Sequence, residues 1–289
     1  MSAVWLVLVA GLAQQGDARL EAILRRVAEE AEIFAQAAAN LTAEETLQQR
    51  ARKHPRRFRP RLGAGATQRP KPEYQTREIV SEYGFTVFKE APGAIHELRQ
   101  VVAVDGRRIA SREEARRALA RGVVSEDDRV KQRMLEQFRK YGLSEAAADF
   151  GQLILLFAVR RQADYYFRVT RTERLGADEA VVVEFQQKAG DGSLLIFQGK
   201  TAIHQRLDGE IWVRQGDWLP LRITLRSSRQ VEKLAIRDEA GVDYVMSQHG
   251  VLAPASVVHR QWAGQELVVE DLFRYGVFRK FAAEAQVKY

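Results

Sequence analysis

The stretch Leu207-Asp-Gly-Glu-Ile-Trp-Val-Arg-Gln-Gly-Asp-Trp-Leu-Pro-Leu-Arg-Ile223 decides the fold of this chain. Apolar residues alternate with polar ones before and after Gln215-Gly216-Asp217, and in a β-strand every second side chain lies on the same face. Gly and Asp are residues that turns favour. The stretch therefore predicts two antiparallel strands joined by a short turn.

The same alternation extends outward from this hairpin. Nearly the whole chain after Ala163 predicts strands, and Thr76–Phe88 and Ala94–Val104 predict two more upstream. Tight turns are indicated at Asp105-Gly106, Asp191-Gly192, Asp208-Gly209 and Ala263-Gly264. About ten short strands in succession form a meander, and a meander of that length curls or closes.

Helical patterns occur in two places. Apolar residues recur at three- and four-residue steps from Asp17 to Asn40, which predicts one long amphipathic helix with Asp17 as its N-cap. Leu41–Arg52 fits either a strand or a helix, and we favour a strand. Residues 111–157 predict a helical insertion, which could act as a lid or as core. Its three helices are expected to begin at Ser111, which starts a capping box, at Ser125 and at Ser144.

Together these patterns predict an α+β fold: a large curved antiparallel sheet with an N-terminal amphipathic helix and a helical insertion. Residues 14–289 are expected to form a single domain. Residues 1–13 are interpreted as a signal peptide, because Ala3–Ala13 is an uncharged apolar run too short to span a bilayer, which takes about 20 residues. The run lacks a positively charged start, so a buried first strand or helix turn is the alternative. A signal peptide predicts a periplasmic or secreted protein.

Basic charge is concentrated in one segment. Nine Lys and Arg residues and no acidic residue lie between Gln48 and Pro72, and residues 53–73 form a proline-rich loop. Nucleic-acid binders spread basic residues over a folded face, so this pattern does not predict one. The alternatives are a solvated linker and a contact with an anionic membrane surface. The residues expected to make that contact are Arg56, Arg57, Arg59 and Arg61.

The sequence contains no familiar catalytic motif and no cysteine, which excludes disulfides and thiol catalysis. His249 and His259 flank a predicted turn, with Asp271 nearby in sequence, and could form a metal site. Surface or half-buried histidines are the simpler reading. Ser247 and Ser256 are the nearest partners for a Ser–His–acid triad. We expect a non-catalytic protein without metal or cofactor.

The remaining indication of function comes from the apolar face of the strands and from the apolar run Phe150–Phe157. Most of these residues fit a core packed against helices, but a sheet this large also predicts a concave apolar cavity. The residues expected to line it are Phe85, Val87, Leu153, Phe157, Phe167, Val169, Val183, Phe185, Leu221, Ile223, Tyr244 and Met246.

Three motifs resemble the bacterial outer-membrane lipoprotein carrier and lipoprotein-sorting superfamily. They are the opening stretch with its Leu219-Pro-Leu-Arg, the later strand Gly250-Val-Leu-Ala-Pro-Ala-Ser-Val-Val258, in which Ala253 replaces the usual leucine, and the ending Phe273-Arg-Tyr-Gly-Val-Phe-Arg-Lys-Phe281. The resemblance covers the N-terminal helix and residues 163–289. The basic loop has no counterpart in it, and residues 111–157 form a larger helical insertion than a minimal carrier needs.

The resemblance implies a half-open β-barrel with a helical lid, which binds a lipid or lipoprotein acyl chain without catalysis. No lipid-gating residue of the family can be matched to a position in this chain. We expect a monomer. The alternatives are an envelope structural or interaction protein of the same fold with a filled core, and a hydrolase with an unrecognised site.

Overall fold

The computed structural model describes residues 3–53, 72–144, 149–188, 194–198, 201–231 and 234–280, and of residues 3–16, 91–93, 194–198 and 201–205 only the backbone. Residues 54–71 of the basic loop, the Asp191-Gly192 turn and the end of the predicted last strand lie outside these ranges. The main strands are β1 Leu41–Arg52, β2 Tyr74–Phe88, β3 Ala91–Val104, β4 Arg107–Arg108, β5 Tyr165–Leu175, β6 Asp178–Gln187, β9 Asp208–Arg214, β10 Pro220–Val231, β11 Leu234–Met246, β12 Leu252–Ala263, β13 Glu266–Tyr275 and β14 Arg279–Lys280.

These strands form one large sheet in the order β4-β3-β2-β1-β13-β12-β11-β10-β9-β6-β5, with β14 also paired to β1. β7 Leu194–Gln198 and β8 Thr201–Gln205 form a separate hairpin. The described pairs are antiparallel, and the sheet is curved but not closed, as the sequence predicted. Because β1 pairs with both β2 and β13, it joins the first meander of the chain to the last.

One continuous row of cross-strand partners shows how alternation produces this sheet. Aliphatic residues and one phenylalanine oppose each other from β3 to β5, and all but the two end members are buried, so the row forms the floor of the concave face. Its members are Val104, Ile79, Leu47, Phe273, Val257, Val242, Ile223, Ile211, Val183 and Val169.

The concave face is covered by helix α1, Ala3–Ala37, which a 3₁₀ turn at Ala38–Asn40 ends. Ile23, Val27 and Phe34 are buried there, and the rings of Phe34 and Phe85 meet edge-to-face at 5.2 Å. The prediction that Asp17 caps this helix is wrong. The helix continues back to Ala3, because residues 3–16 contain neither a proline nor a strong helix breaker apart from single glycines.

Helices α2, Arg112–Val124, and α3, Asp128–Tyr141, pack mainly on the opposite face of β2 and β3. Leu98, Leu119 and Met134 form a small buried cluster there. The capping box at Ser111 and the helix end at Gly142 are confirmed, but Asp127 rather than Ser125 caps α3. Farther along α3, Phe138 belongs to the main core and Tyr141 packs against it, so the end of α3 reaches the concave face.

The predicted third helix of the insertion is wrong. The apolar run forms a 3₁₀ helix, Leu153–Phe157, followed by a short α4, Val159–Gln162. Asp149 has φ 67°, which a right-handed helix does not allow, and its N–H bonds to a side chain of the sheet. We call residues 149–162 the plug, because Leu153, Ile154 and Phe157 are buried against the concave face. No helix in the described part of the chain is long and apolar enough to cross a membrane.

The turns at Asp105-Gly106 and Ala263-Gly264 are confirmed, with positive φ at Asp105, Gly106 and Gly264. Asp208-Gly209 is not a turn but the start of β9. A Cβ on Gly209 would lie 2.0 Å from the carbonyl oxygen of Thr224 and 2.9 Å from the ring of Phe185. The glycine therefore allows β9 to approach β10 closely.

Gly209→Ala is expected to lower the free energy of unfolding by about 3 kcal/mol, because the added methyl meets backbone that cannot move aside. Gly241→Ala, on the other neighbour of β10, is the matched control, since its Cβ would meet only a methyl group at 3.6 Å. Urea unfolding of both variants checks this. Equal losses in the two variants would contradict the close approach.

Candidate apolar ligand site

The centre of the candidate site is an aromatic cage around the plug. Phe157 is fully buried, and its ring lies 4.8 Å from that of Phe185, 5.7 Å from that of Tyr165 and 6.1 Å from that of Phe167, measured between centroids. Tyr165 and Phe167 belong to β5, the edge strand of the sheet. The cage therefore lies where the sheet ends, and a plug side chain occupies its centre.

The structure brings most of the predicted cavity residues to the concave face, where they contact the plug, α1 or each other. Two of them, Phe167 and Val169, are half-buried at the β5 edge. The others there are buried: Phe85, Leu153, Phe157, Val183, Phe185, Ile223 and Tyr244. Their side chains fill the space, so the face is packed rather than open.

Three predicted cavity residues lie elsewhere. Val87 and Met246 are exposed, at 38% and 39%, because they stand at the ends of β2 and β11, beyond the cover of α1 and the plug. Leu221 lies in a bulge between Pro220 and Arg222. A bulge shifts the alternation by one residue, and Leu221 packs instead with Ala180, Val182 and Trp212 in a separate cluster.

The carboxylate of Glu97 anchors the start of the plug. Its Oε1 accepts hydrogen bonds from the N–H of Gly151 at 2.7 Å and the hydroxyl of Tyr83 at 2.9 Å. Its Oε2 accepts from the N–H of Asp149 at 3.1 Å. The carboxylate of Asp149 in turn accepts the N–H of Glu97 at 2.7 Å. The plug is thus held to β3 by reciprocal polar contacts, in addition to its apolar packing.

Glu97 shares a buried guanidinium with Glu45. Arg99 donates through Nε to both oxygens of Glu45 at 2.8 and 3.0 Å, and through Nη2 to Glu97 at 2.6 Å. Burial raises the pKa of Glu45, and Arg99 offsets part of that effect. Removing one member of such a cluster leaves a buried charge without its partner, which costs about 3–5 kcal/mol.

Sequence reasoning missed this cluster, although the pattern carried a signal for it. Glu45 lies between Ala43 and Leu47 on β1, at a position where alternation places the side chain inward. Arg99 pairs with Tyr83, and Glu45 pairs with Ser81, so charged residues stand among buried neighbours. A charged residue at an inward position is uncommon unless it is paired.

A second polar row lies on β1, β13 and β12, in the middle of the sheet. Gln49, Asp271 and His259 are direct partners across β1, β13 and β12. The Gln49 amide donates to Asp271 at 2.7 Å, and the His259 imidazole contacts Asp271 at 3.1 Å and Asp238 at 3.5 Å. The plug residue Phe150 stacks on the imidazole with 5.0 Å between centroids. Like Glu97, this row ties the plug to the sheet.

The structure does not assemble the hypothetical metal site or the serine triad. His249 lies in the turn before Leu252, and seven residues of strand, roughly 23 Å, separate Leu252 from His259. Ser247 accepts backbone N–H groups of that turn, and Ser256 donates to Asp243 at 3.0 Å. Across the residues that the structure describes, no cluster of three metal-ligating side chains is found.

The buried histidine makes stability depend on pH. Burial lowers the pKa of His259, but hydrogen bonds to Asp238 and Asp271 outweigh it, so the pKa is raised above its ordinary value. A raised pKa in the folded state stabilises the protein below the unfolded value of about 6.5, and that contribution is lost as the pH rises through the folded value.

We therefore expect His259→Gln to lower the free energy of unfolding, and to lower it most at about pH 5.5. The difference between wild type and the variant should shrink as the pH rises towards about 9. Urea unfolding at several pH values measures it. His249→Gln is the control, because His249 lies in a surface turn. A difference that stays constant over this range would show that folding does not raise the pKa of His259.

Comparison with known proteins gives likenesses of fold. No family model and no curated protein matches the chain. A solved LolA superfamily protein from Nitrosomonas europaea aligns over 89% of this chain and 92% of its own, with 9% identity and a TM-score of 0.35. A DUF1329 family protein from Desulfovibrio piger aligns over 93% and 94%, with 11% identity and a TM-score of 0.36. Both alignments cover most of the two chains compared, at TM-scores below 0.5.

Proposed function

We propose that this protein is a non-catalytic envelope protein that binds the acyl chain of a lipid or lipoprotein between its curved sheet and α1. The observation that supports the proposal is the plug. Leu153, Ile154 and Phe157 of a short 3₁₀ helix are buried against the concave face, and Phe157 fills an aromatic cage at the sheet edge, in the place that a hydrophobic chain would take. The plug then represents the ligand-free, closed form.

The energetics of apolar burial support an exchange between plug and ligand. Burying an apolar side chain such as Leu or Phe stabilises the folded protein by about 1.5–3 kcal/mol. A cage left empty and exposed to water would lose that contribution. An acyl chain that covers the same apolar surface of the cage would supply a similar stabilisation through its own buried methylene groups. The polar anchors at Gly151 and Asp149 lie before the apolar residues. Leu153–Phe157 can therefore leave the cage while the anchors stay bonded to Glu97, at the cost of the hydrogen bond that the Ile154 N–H donates to the Tyr244 hydroxyl.

The far end of the plug is held by fewer contacts. The amide of Gln162 donates to the carbonyl oxygens of Leu24 on α1 at 2.8 Å and Phe157 at 3.1 Å. α4 is only four residues long and has no buried residue. We therefore place the moving part at residues 153–162, between the Glu97 anchor and the start of β5.

A periplasmic or secreted location and the absence of catalysis belong to this proposal. The apolar run Ala3–Ala13 supports export. The non-catalytic assignment is supported by the structural roles of the candidate groups: His259 lies between two aspartates, and Ser247 and Ser256 bond within the sheet and its turn.

A permanently filled core is the second candidate, and one observation favours it. The plug already satisfies the carboxylate of Glu97 and stacks on His259, so the closed form is complete without a ligand. In that case the protein is an envelope interaction protein, and its sheet serves as a rigid scaffold.

Single cysteines can test plug displacement, because the chain contains none. Ala158→Cys places a thiol at the end of the 3₁₀ helix, where the native residue is 5% exposed. Ala43→Cys, on β1, is the matched control, since Ala43 is also small and buried in the same core. Palmitate and a palmitoylated peptide serve as ligands, and the rate of maleimide labelling is measured.

Both thiols are expected to react slowly in the ligand-free protein. Added palmitate should raise the labelling rate of A158C severalfold and leave that of A43C unchanged. Palmitate that binds without exposing the A158C thiol would rule out displacement of the plug. Failure of both ligands to bind wild type would rule out the carrier function and favour the filled core.

Contact with an anionic membrane through Arg56, Arg57, Arg59 and Arg61 remains a prediction, since these residues lie outside the described ranges. Replacing the four arginines with glutamine should weaken binding to vesicles containing phosphatidylglycerol and flatten its dependence on salt. Vesicle co-sedimentation at two ionic strengths measures both. Replacement of four exposed arginines of the sheet, Arg168, Arg174, Arg226 and Arg237, is the control. Unchanged binding in the loop variant would identify the segment as a linker.

A further inference from the structure

The outer edge of β5 has no partner strand. β5 is the last strand of the large sheet, and no strand that the structure describes pairs with its far side. The apolar floor row ends at Val169, which is only half-buried, and the neighbouring Phe167 is half-buried as well. The sheet therefore stops at a point where its inward face is still apolar.

The backbone groups of the same residues point to this free edge. The N–H of Lys188 donates to the carbonyl oxygen of Asp164 at 2.8 Å, so Asp164 directs its carbonyl towards the β6 side. Successive residues of an antiparallel strand direct their N–H and C=O groups to opposite sides. Because β5 and β6 pair in regular register up to Val169, the backbone groups of Tyr165, Phe167 and Val169 point away from β6.

This part of the edge lacks the usual protection against pairing. Sheet edges are commonly protected by proline, by an inward-pointing charge or by a bulge. Residues 165–169 contain no proline, and their inward side chains are Tyr165, Phe167 and Val169. The bulge between Val169 and Arg171 comes only after them. Five residues of the edge are thus open to pairing with another extended chain.

Charge on the outer face of the sheet indicates one residue of such a chain. Arg168 is exposed, and its guanidinium contacts Glu184 on β6 at 2.6 Å. Elsewhere on this face, acidic and basic residues alternate as direct cross-strand partners. They are Asp208, Arg226, Glu239, Arg260, Glu270 and Arg50. The same alternation, continued beyond β5, places an acidic residue opposite Arg168.

We infer that the edge of β5 binds an extended peptide of a partner protein, with an acidic residue opposite Arg168 and apolar residues opposite Phe167 and Val169. Such a peptide continues the sheet through backbone hydrogen bonds and covers the half-buried side chains. A second copy of β5 does not fit, because it has no acidic residue between Tyr165 and Arg171. The surface does not depend on the acyl-chain function, since it uses the outer side of β5.

Titration of the isotope-labelled protein with the capped peptide Ser-Thr-Val-Glu-Val-Thr-Ser tests this inference. Saturable shifts of the backbone amide signals of Phe167 and Val169 are expected. N-methylation of one valine removes a hydrogen bond to the edge and should weaken binding about tenfold. N-methylation of the glutamate, whose N–H points away from β5 in this antiparallel pairing, is the matched control and should leave binding unchanged.

Charge reversal tests the pairing with Arg168. Wild type should bind the glutamate peptide about fivefold more tightly than a peptide with lysine in its place, and Arg168→Glu should reverse this preference. Arg174→Glu, also exposed on β5 but beyond the bulge, should keep the wild-type preference.

Absence of saturable shifts at Phe167 and Val169 would overturn the inference. Equal weakening by the two N-methylated peptides, or an unchanged preference in Arg168→Glu, would do the same. Dimerisation of the peptide-free protein through these two amides would assign the edge to a second copy of the chain instead.

Discussion

The ion cluster of Arg99 with Glu45 and Glu97 is the interaction on which the rest of the structure depends. Arg99 lies on β3 and Glu45 on β1, so the guanidinium reaches across β2 to join three strands. Ser81 pairs with Glu45 in β2, and its small side chain leaves room for that reach. Through Glu97, the same cluster holds the start of the plug.

A buried cluster of this kind is weak evidence for stability, because desolvation of three charges costs as much as their attraction returns. The cluster is important because it lies where the plug meets β3. An apolar residue at Glu97 could pack against the plug but could not accept its two N–H groups. Because an unmet buried N–H costs about 1–3 kcal/mol, the carboxylate fixes one register of the plug against β3.

The sheet was predictable because alternation is a local signal. The floor row from Val104 to Val169 follows the period of two, and so does the inward position of Glu45. The plug was not predictable, since Leu153–Phe157 is apolar on every side and its conformation is set by Glu97, more than 50 positions away in sequence. The prediction that Leu221 lines the cavity failed for a related reason, because a single bulge in β10 turns its side chain to the other face of the sheet. Local patterns could not show which strand the plug would meet.

The division of the plug into a polar start and an apolar end has a consequence for its motion. Polar contacts are directional and lose most of their strength over a small displacement, whereas apolar contacts are exchangeable for any surface of similar area. Gly151 and Asp149 therefore act as a fixed point, and Leu153–Phe157 as the part that another hydrophobic group can replace. In the exchange that we propose, a segment anchored in this way would return to the cage without searching for its register, because the reciprocal bonds between Glu97 and Asp149 would stay in place.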